Sequence, residues 1–552
     1  MRVLRMPSVL AIVAVLLTGG CGARGAETRD PDMIVAGWIA GPDGFNPLTA
    51  VGSAAHMAYD QLFTPLVAIN GTLRPDWALS LAQRVEIRDG GRRYVLHLRR
   101  NARWTDGVPV TSRDVVFSLE LGNNPGLLEG NSSDFTLMQS VHALDRYTVE
   151  LVLSKPSPPF LENALGETLP LPEHLLGKFP PNSAQEAAFV NADADFAQHP
   201  VTDGPFRLLR NVPQAYTIFE RNPLYWAAPT GTARIAFRVY PQQDSLYAAV
   251  DAGEIDVTDI PPNLWRVHQR LRGDHRFVNW PWNVTFLLLP NYHDPQIAWM
   301  REPRVKQALM YAIDRGFITR GIMSGQADIL NGPVPAFSPY YDRSVQRYGY
   351  DPARARAMLQ AAGWRLRGGV RVKNGTTMRV TLKTGGATDA VASNIAELIQ
   401  ANLKAVGIEC VLDNEEIQTF FEDLHGSRFE LALRGVILLP YPDDYKFYDS
   451  TQTRANGGYN YGFFSSRDID RAIEDARTAP DAARGRAALD RYQELASREL
   501  PVLYLYSNRL GAAIPRDLGG FDLNPLAPAA LPMGMQFWQM HPRAPAARSK
   551  GA

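Results

Sequence analysis

Cysteine is nearly missing from this chain of 552 residues: only Cys21 and Cys410 occur. Two thiols cannot build a disulfide framework or a cysteine zinc site. An excess of charge is missing too, with 57 Lys and Arg set against 57 Asp and Glu. No global field therefore draws the chain to nucleic acid or to an anionic membrane. No apolar run reaches the ~20 residues that span a bilayer, which excludes a polytopic membrane protein. What remains is a folded body, 45% hydrophobic and 21% charged. At ~150 residues per domain, it is long enough for three or four domain-sized units.

Local motifs for chemistry are absent as well. There is no HExxH pair, and no two of the ten histidines lie three or four apart, so no helical face offers a zinc site. Neither GxxxxGK[ST] nor a GxGxxG turn after a strand occurs; Gly385-Gly386 reads as a turn, not a phosphate cradle. GxSxG and SxxK are missing, which leaves a serine hydrolase without local support. Asn191-Ala192-Asp193-Ala194-Asp195 suggests a calcium loop, but Phe196 stands where glycine is required and Thr202 where glutamate closes the loop. It reads as a polar loop. Cys410 sits among strand residues and reads as an inert buried thiol. The expectation is a protein without metal, cofactor or catalytic centre. An exported hydrolase with a triad assembled from distant residues is the alternative from another class, and an adhesin or scaffold without a cleft is a third.

The N-terminus is an address. Arg2 and Arg5 precede an unbroken apolar run over residues 9–17, suited to the core of a secretory signal. Leu17-Thr18-Gly19-Gly20-Cys21 follows and resembles a bacterial lipobox, with Thr18 three places before the cysteine where Leu is usual. That resemblance implies a signal peptide over residues 1–21 and lipid on Cys21. Residues 22–32 are polar and suited to a tether. Residues 541–552 lack any apolar period and read as a disordered tail.

Between these ends the residues alternate strand and helix patterns. Tyr94, Leu96 and Leu98 alternate with Val95, His97 and Arg99 as a half-exposed strand does. Trp104-Thr105-Asp106-Gly107 is a turn, and Thr111 with Asp114 forms a capping box for the helix that follows. Val305, Ala308, Leu309, Ala312 and Ile313 make one buried stripe, predicting a helix over residues 302–316. Asp351 and Pro352 start another helix, and Gly363 stops it. A strand over 378–383, a helical stripe from Ile395 to Val406 and a strand over 408–412 form a βαβ unit with a right-handed crossover. Short strands are expected over 233–240, 286–289 and 501–505. The class is α/β.

Several motifs, in order, resemble the large solute-binding proteins of bacterial ABC importers for peptides and nickel, the family 5 extracellular proteins. The most specific is Trp104-Thr105-Asp106-Gly107-Val108-Pro109-Val110-Thr111-Ser112-Arg113-Asp114-Val115-Val116-Phe117-Ser118. Phe45-Asn46-Pro47-Leu48, Gly204-Pro205-Phe206, Arg221-Asn222-Pro223-Leu224-Tyr225-Trp226, Val305-Lys306-Gln307-Ala308-Leu309 and Gly407-Ile408-Glu409 support it. The resemblance implies a type II periplasmic-binding-protein fold in its large three-domain form, with a ligand cleft between two lobes. Lobe 1 would be discontinuous, over 33–56, 200–283 and 508–540; 57–199 would be the extra domain and 284–507 lobe 2. It further implies a monomer outside the cytoplasmic membrane, a peptide or peptide-like ligand and a membrane permease as partner.

Peptide binders of this family carry a Gly-Trp segment with an aspartate three places on that pairs with the peptide's amino terminus. Here the corresponding segment is Gly435-Val436-Ile437-Leu438-Leu439-Pro440-Tyr441-Pro442-Asp443-Asp444. Val436 replaces the tryptophan and Leu439 the aspartate, so the amine anchor is lost unless Asp443 or Asp444 reaches in. A non-peptide neutral solute, such as a glycoside, is the alternative ligand. The candidate cleft residues are Trp38, Ile39 and Gly41 on the first lobe, Asn283 near the crossing between lobes, and Gly435, Val436, Ile437, Leu439 and Asp443 on the second.

Overall fold

The computed structural model describes residues 32–516 and 518, apart from 51–52, 125, 128–134, 228–230, 269–274 and 388. The leader, Cys21, most of the tether and the C-terminal tail lie outside the described residues.

Two long antiparallel strands run through the molecule, His275–Pro290 and Leu503–Pro515. They pair from His275 opposite Pro515 to Leu288 opposite Leu503, and the register breaks between Pro281 and Thr285. Proline cannot donate to a ladder, so Pro281 is a natural place for the break. Trp282 and Asn283 sit inside it. The short strands expected at 286–289 and 501–505 are thus parts of two much longer ones. Isolated apolar runs hide this, because the polar residues between them show no alternation.

On one side of the break, a four-stranded sheet has the order Met33–Trp38, Arg234–Val239, Tyr216–Arg221, Phe206–Val212. Its first pair is parallel and the other two are antiparallel. The crossing strands themselves belong to a seven-stranded mixed sheet, in the order Ala327–Ile329, Leu503–Pro515, His275–Pro290, Leu431–Ile437, Arg379–Thr384, Glu409–Asn414, with Thr258–Asp259 paired to Leu503–Pro515 off that path. A third, antiparallel sheet has the order Ala82–Arg88, Arg93–Leu98, Thr148–Leu153, Met138–Asp145.

The apolar cores divide at the same break. One core gathers Leu287 to Tyr506. Another holds Ile34 to Trp280 together with Ala512, Ile514 and Leu518. Phe45, Trp104, Phe160 and Phe237 belong to this single second core, so residues 57–199 pack continuously onto the 33–38 sheet.

Local signals translate directly. Thr111 accepts a hydrogen bond from Arg113 N, and Asp114 Oδ2 accepts one from Thr111 N at 2.7 Å, closing the capping box of the helix Ser112–Gly122. Arg379–Thr384 and Glu409–Asn414 pair in parallel across the helix Ala390–Ala405, as a βαβ unit requires. The helix expected over 302–316 is shorter, Pro303–Ala312. Asp314 accepts from Phe317 N and starts a new turn there. The expected polar loop at 191–195 is also corrected: one helix ends at Ala192, and Asp193 caps the next, Ala194–Gln198. Cys410 is buried, and burial pushes its thiol up to about 12, which leaves it protonated.

Candidate ligand-binding cleft

A shallow cleft, with about 450 Å³ of empty space when the open solvent at its mouth is included, lies beside the break in the crossing strands. Its lining comes from four separate stretches: Leu73, Asn283, the loop from Pro333 to Ser338, and the segment from Ile437 to Phe447. Four of the residues proposed from sequence meet here, Asn283, Ile437, Leu439 and Asp443. The wall is mainly apolar, with Val334, Phe337, Leu438 and Leu439 among its residues.

Backbone pairing holds Asn283 in place. Leu438 N donates to Asn283 O at 2.7 Å, and Asn283 Nδ2 donates to Leu438 O at 3.1 Å. These bonds extend the ladder that runs from Pro290 opposite Leu431 to Val284 opposite Ile437. The other amide atom, Asn283 Oδ1, is buried and has no hydrogen-bond partner. Leaving a buried acceptor unsatisfied costs about 1–3 kcal/mol, so a donor entering the cavity at this point recovers free energy.

The strand Leu431–Ile437 is paired on one edge along its whole length but on the other only through Leu433. Gly435 is exposed beyond that point and faces Phe286, whose ring stacks on Tyr506 at 4.9 Å. Ile437 is 57% exposed, whereas Val436 is buried opposite Thr285. The strand therefore offers backbone at 435 and apolar surface at 437.

Both carboxylates of the lining are committed within the protein. Arg477 Nε lies 3.0 Å from Asp443 Oδ2, with both side chains almost wholly buried, and Tyr445 N donates to Asp443 Oδ1. Tyr492 OH donates to Asp444 Oδ2 at 2.6 Å. Burial pushes the Asp444 carboxyl up to about 7. Asp443 and Asp444 thus support the loop, and Leu439 presents hydrocarbon to the cavity.

Contacts from residues 57–199 close over the same loop. Asn163 Nδ2 donates to Tyr441 O at 3.1 Å, and Tyr441 N donates back to Asn163 Oδ1 at 3.0 Å. Tyr340 OH donates to Glu162 Oε2 at 2.6 Å, and Arg74 Nη1 donates to Tyr340 OH at 2.7 Å. Glu162 is held above the usual carboxylate range by burial, against the pull of Tyr340 and Arg74.

The first-lobe candidates lie elsewhere. Trp38 is buried against Phe237 with ring centroids 5.3 Å apart, Ile39 is exposed, and neither they nor Gly41 line this cavity. The sequence reading missed Leu73, the 333–338 loop and Phe447. Pro333-Val334-Pro335 is legible as a loop, but nothing in one dimension places that loop against residue 283. Among the described residues, no group of three or more His, Cys, Asp or Glu could hold a metal ion, and no helix is long and apolar enough to cross a membrane.

Two long paired strands that run from one apolar core into another, with a cleft beside the shift in their register, belong to a periplasmic-binding-protein-like α/β fold of the multi-domain type II form. The family model described as bacterial extracellular solute-binding proteins, family 5 Middle, matches residues 75–459, and the chain belongs to that family. It is similar to the oligopeptide-binding protein AppA of Bacillus subtilis, 26% identical over 544 residues that cover 95% of this chain and 96% of that protein. The nickel-binding periplasmic protein of Escherichia coli is 24% identical over 507 residues, 88% of this chain and 91% of its own. Among solved structures, AppA of Bacillus subtilis in complex with a nonapeptide superposes with a TM-score of 0.75 at 24% identity, covering 93% of this chain and 99% of that one. NikZ of Campylobacter jejuni in complex with Ni(L-His) gives 0.76 at 21% identity, covering 93% and 100%.

The Asp443–Arg477 pair yields a stability test. Removing one partner of a buried ion pair strands the other charge and costs about 3–5 kcal/mol. Arg477→Met should therefore lower the free energy of unfolding in urea by that order. Adding Asp443→Asn to it should restore most of the loss. A single variant as stable as the parent would mean that Asp443 is not tied to Arg477 and is free to meet a ligand.

Proposed function

We propose that this chain captures a peptide or peptide-like solute in the cleft beside Asn283 and delivers it to the membrane permease of an ABC importer. The observation that carries the reading is the cavity: apolar-walled, set at the break of both crossing strands, and holding a buried amide oxygen that lacks a donor. A ligand backbone N–H matches that oxygen, and the open edge of the Leu431–Ile437 strand beyond Leu433 suits pairing with an extended chain. The names of the relatives support the assignment: they include oligopeptide-binding, dipeptide-binding and nickel-binding proteins.

In this reading, residues 33–56, 200–283 and 508–540 form one lobe, 284–507 the other, and 57–199 an extra domain that clasps the second lobe through Asn163 and Glu162. The lobes move about the register break and close on the solute. The protein works as a monomer and binds without transforming its ligand. It is exported by the leader and anchored by lipid on Cys21, at the outer face of the cytoplasmic membrane or in the periplasm. Radiolabelled fatty acid should then enter the parent and not Cys21→Ala; equal label in both, or in neither, would refute the anchor.

Specificity follows from the lining. A ligand ammonium at Leu439 loses water and meets no free carboxylate, a mismatch worth several kcal/mol, and each ~1.4 kcal/mol is tenfold in affinity. In calorimetry, N-acetylated peptides should bind at least about tenfold tighter than their free-amine counterparts, and Leu439→Asp should shift preference toward the free amine. Tight binding of the free amine by the parent, unchanged in a variant carrying both Asp443→Asn and Asp444→Asn, would show that Leu439 does not face the ligand's amino end.

A further inference from the structure

Leu73 is buried, at 3% exposure, yet it belongs to none of the three apolar cores formed by the described residues. Its neighbours in sequence do join one. Leu66, Val67, Leu81 and Ala82 pack into the core that residues 57–199 share with the 33–38 sheet. Leu73 lines the cleft instead, with the 333–338 loop and the 437–447 segment. Among the described residues, it is the one lining residue that comes from 57–199.

A tight turn puts it there. Asn70 N donates to Arg74 O at 2.8 Å, and Leu73 N donates to Asn70 O at 2.9 Å. Asn70 Oδ1 accepts from Thr72 N and from Arg74 N, at 2.9 and 3.2 Å. These bonds hold Leu73 at a φ of 59°, in the left-handed region that a leucine rarely adopts. Such a backbone persists only where its surroundings over-determine it, and it gathers at ligand clamps.

The next residue fastens the turn to the other side of the cleft. Arg74 Nη1 donates to Tyr340 OH, and its guanidinium stands 4.8 Å from the centre of that ring. Tyr340 is held in turn: its hydroxyl donates to Glu162, and its backbone oxygen accepts from Gln493 Nε2 at 2.9 Å. Tyr340 follows the cleft-lining Ser338 by two residues.

We propose that Leu73 is a specificity-determining finger, inserted by residues 57–199 as one wall of the cleft, and that Arg74 is the positioning residue that keys it there. The inference rests on the cleft being the solute site and states what that site limits: the bulk of the solute group beside Leu73. With 57–199 packed onto the first lobe and 284–507 as the second, this wall is complete only when the lobes are together. It therefore acts on the closed state, where fit is decided. A leucine fills space that a larger solute group needs, and one methylene at an apolar wall changes discrimination by roughly tenfold or more.

Two pools of N-acetyl tripeptide amides test this, one built from Gly, Ala and Ser and the other from Leu, Phe and Trp. Binding to the full mature protein is read by calorimetry and native mass spectrometry. The ratio of bulky-pool to small-pool affinity should rise at least about fivefold from the parent to Leu73→Ala. Leu73→Gly, which also suits the positive φ, should show the same shift and stands in should the first variant fail to fold. Arg74→Met should raise the ratio in part, and Arg74→Lys should stay nearer the parent. A side chain that only held the fold would weaken both pools alike. An unchanged ratio in a folded Leu73 variant, with both pools bound, overturns the role of Leu73 and leaves the cleft as a peptide site. A ratio that rises in Leu73→Ala and not in Arg74→Met overturns the positioning role of Arg74 alone. Binding of neither pool by parent or variants overturns the peptide reading of the cleft, and this inference with it.

Discussion

The structure depends on one constraint: two long strands of one sheet must run from one apolar core into another while their pairing shifts register, at Pro281–Thr285 and again at Phe286–Leu287. His275–Pro290 and Leu503–Pro515 stay hydrogen-bonded on both sides of the break at Pro281–Thr285. The core of Leu287 to Tyr506 ends there, and the core that includes Trp280 and Ala512 begins. A break between two rigid ladders concentrates bending in a few residues, as hinge motions require. It also opens the ladder, and Asn283, whose amide oxygen is buried without a partner, is among the residues that line the cleft there.

Around that space the protein has settled its carboxylates. Asp443 is neutralised by a buried arginine and Asp444 is bonded to a tyrosine, so the loop that carries them is stiff and uncharged toward the cavity. The relatives of this chain include both an oligopeptide-binding and a nickel-binding protein, which choose different solutes. The fold is common to both kinds of relative and cannot make that choice.

Much of the fold was legible because it is local. The capping box at Thr111 and Asp114, the cap at Asp351 and the alternation over 378–383 are signals in which neighbours in sequence are neighbours in space. The continuity of the crossing strands was not, because Asn279 to Asn283 show no period. The cleft divided the same way. Asn283, Ile437 and Leu439 were reached through ordered motifs, and they do meet. Leu73, Phe337 and Phe447 arrive from loops whose placement is decided only by tertiary packing. Asp443 was legible as an acid near the cleft, but its partner Arg477 lies 34 residues away, and no spacing rule ties a loop aspartate to a helix at that distance. Trp38 is a cleft candidate from its place before the Phe45-Asn46-Pro47 motif, and its ring packs against Phe237 in the core.

Capture without transformation is the centre of this account, and native mass spectrometry of the exported protein tests it most directly. The account predicts a single small molecule held by each chain, released on denaturation, with a mass unchanged after prolonged incubation with fresh protein. Conversion of that molecule to products by the purified chain would contradict it, as would a cleft that holds nothing in any preparation and accepts no offered solute.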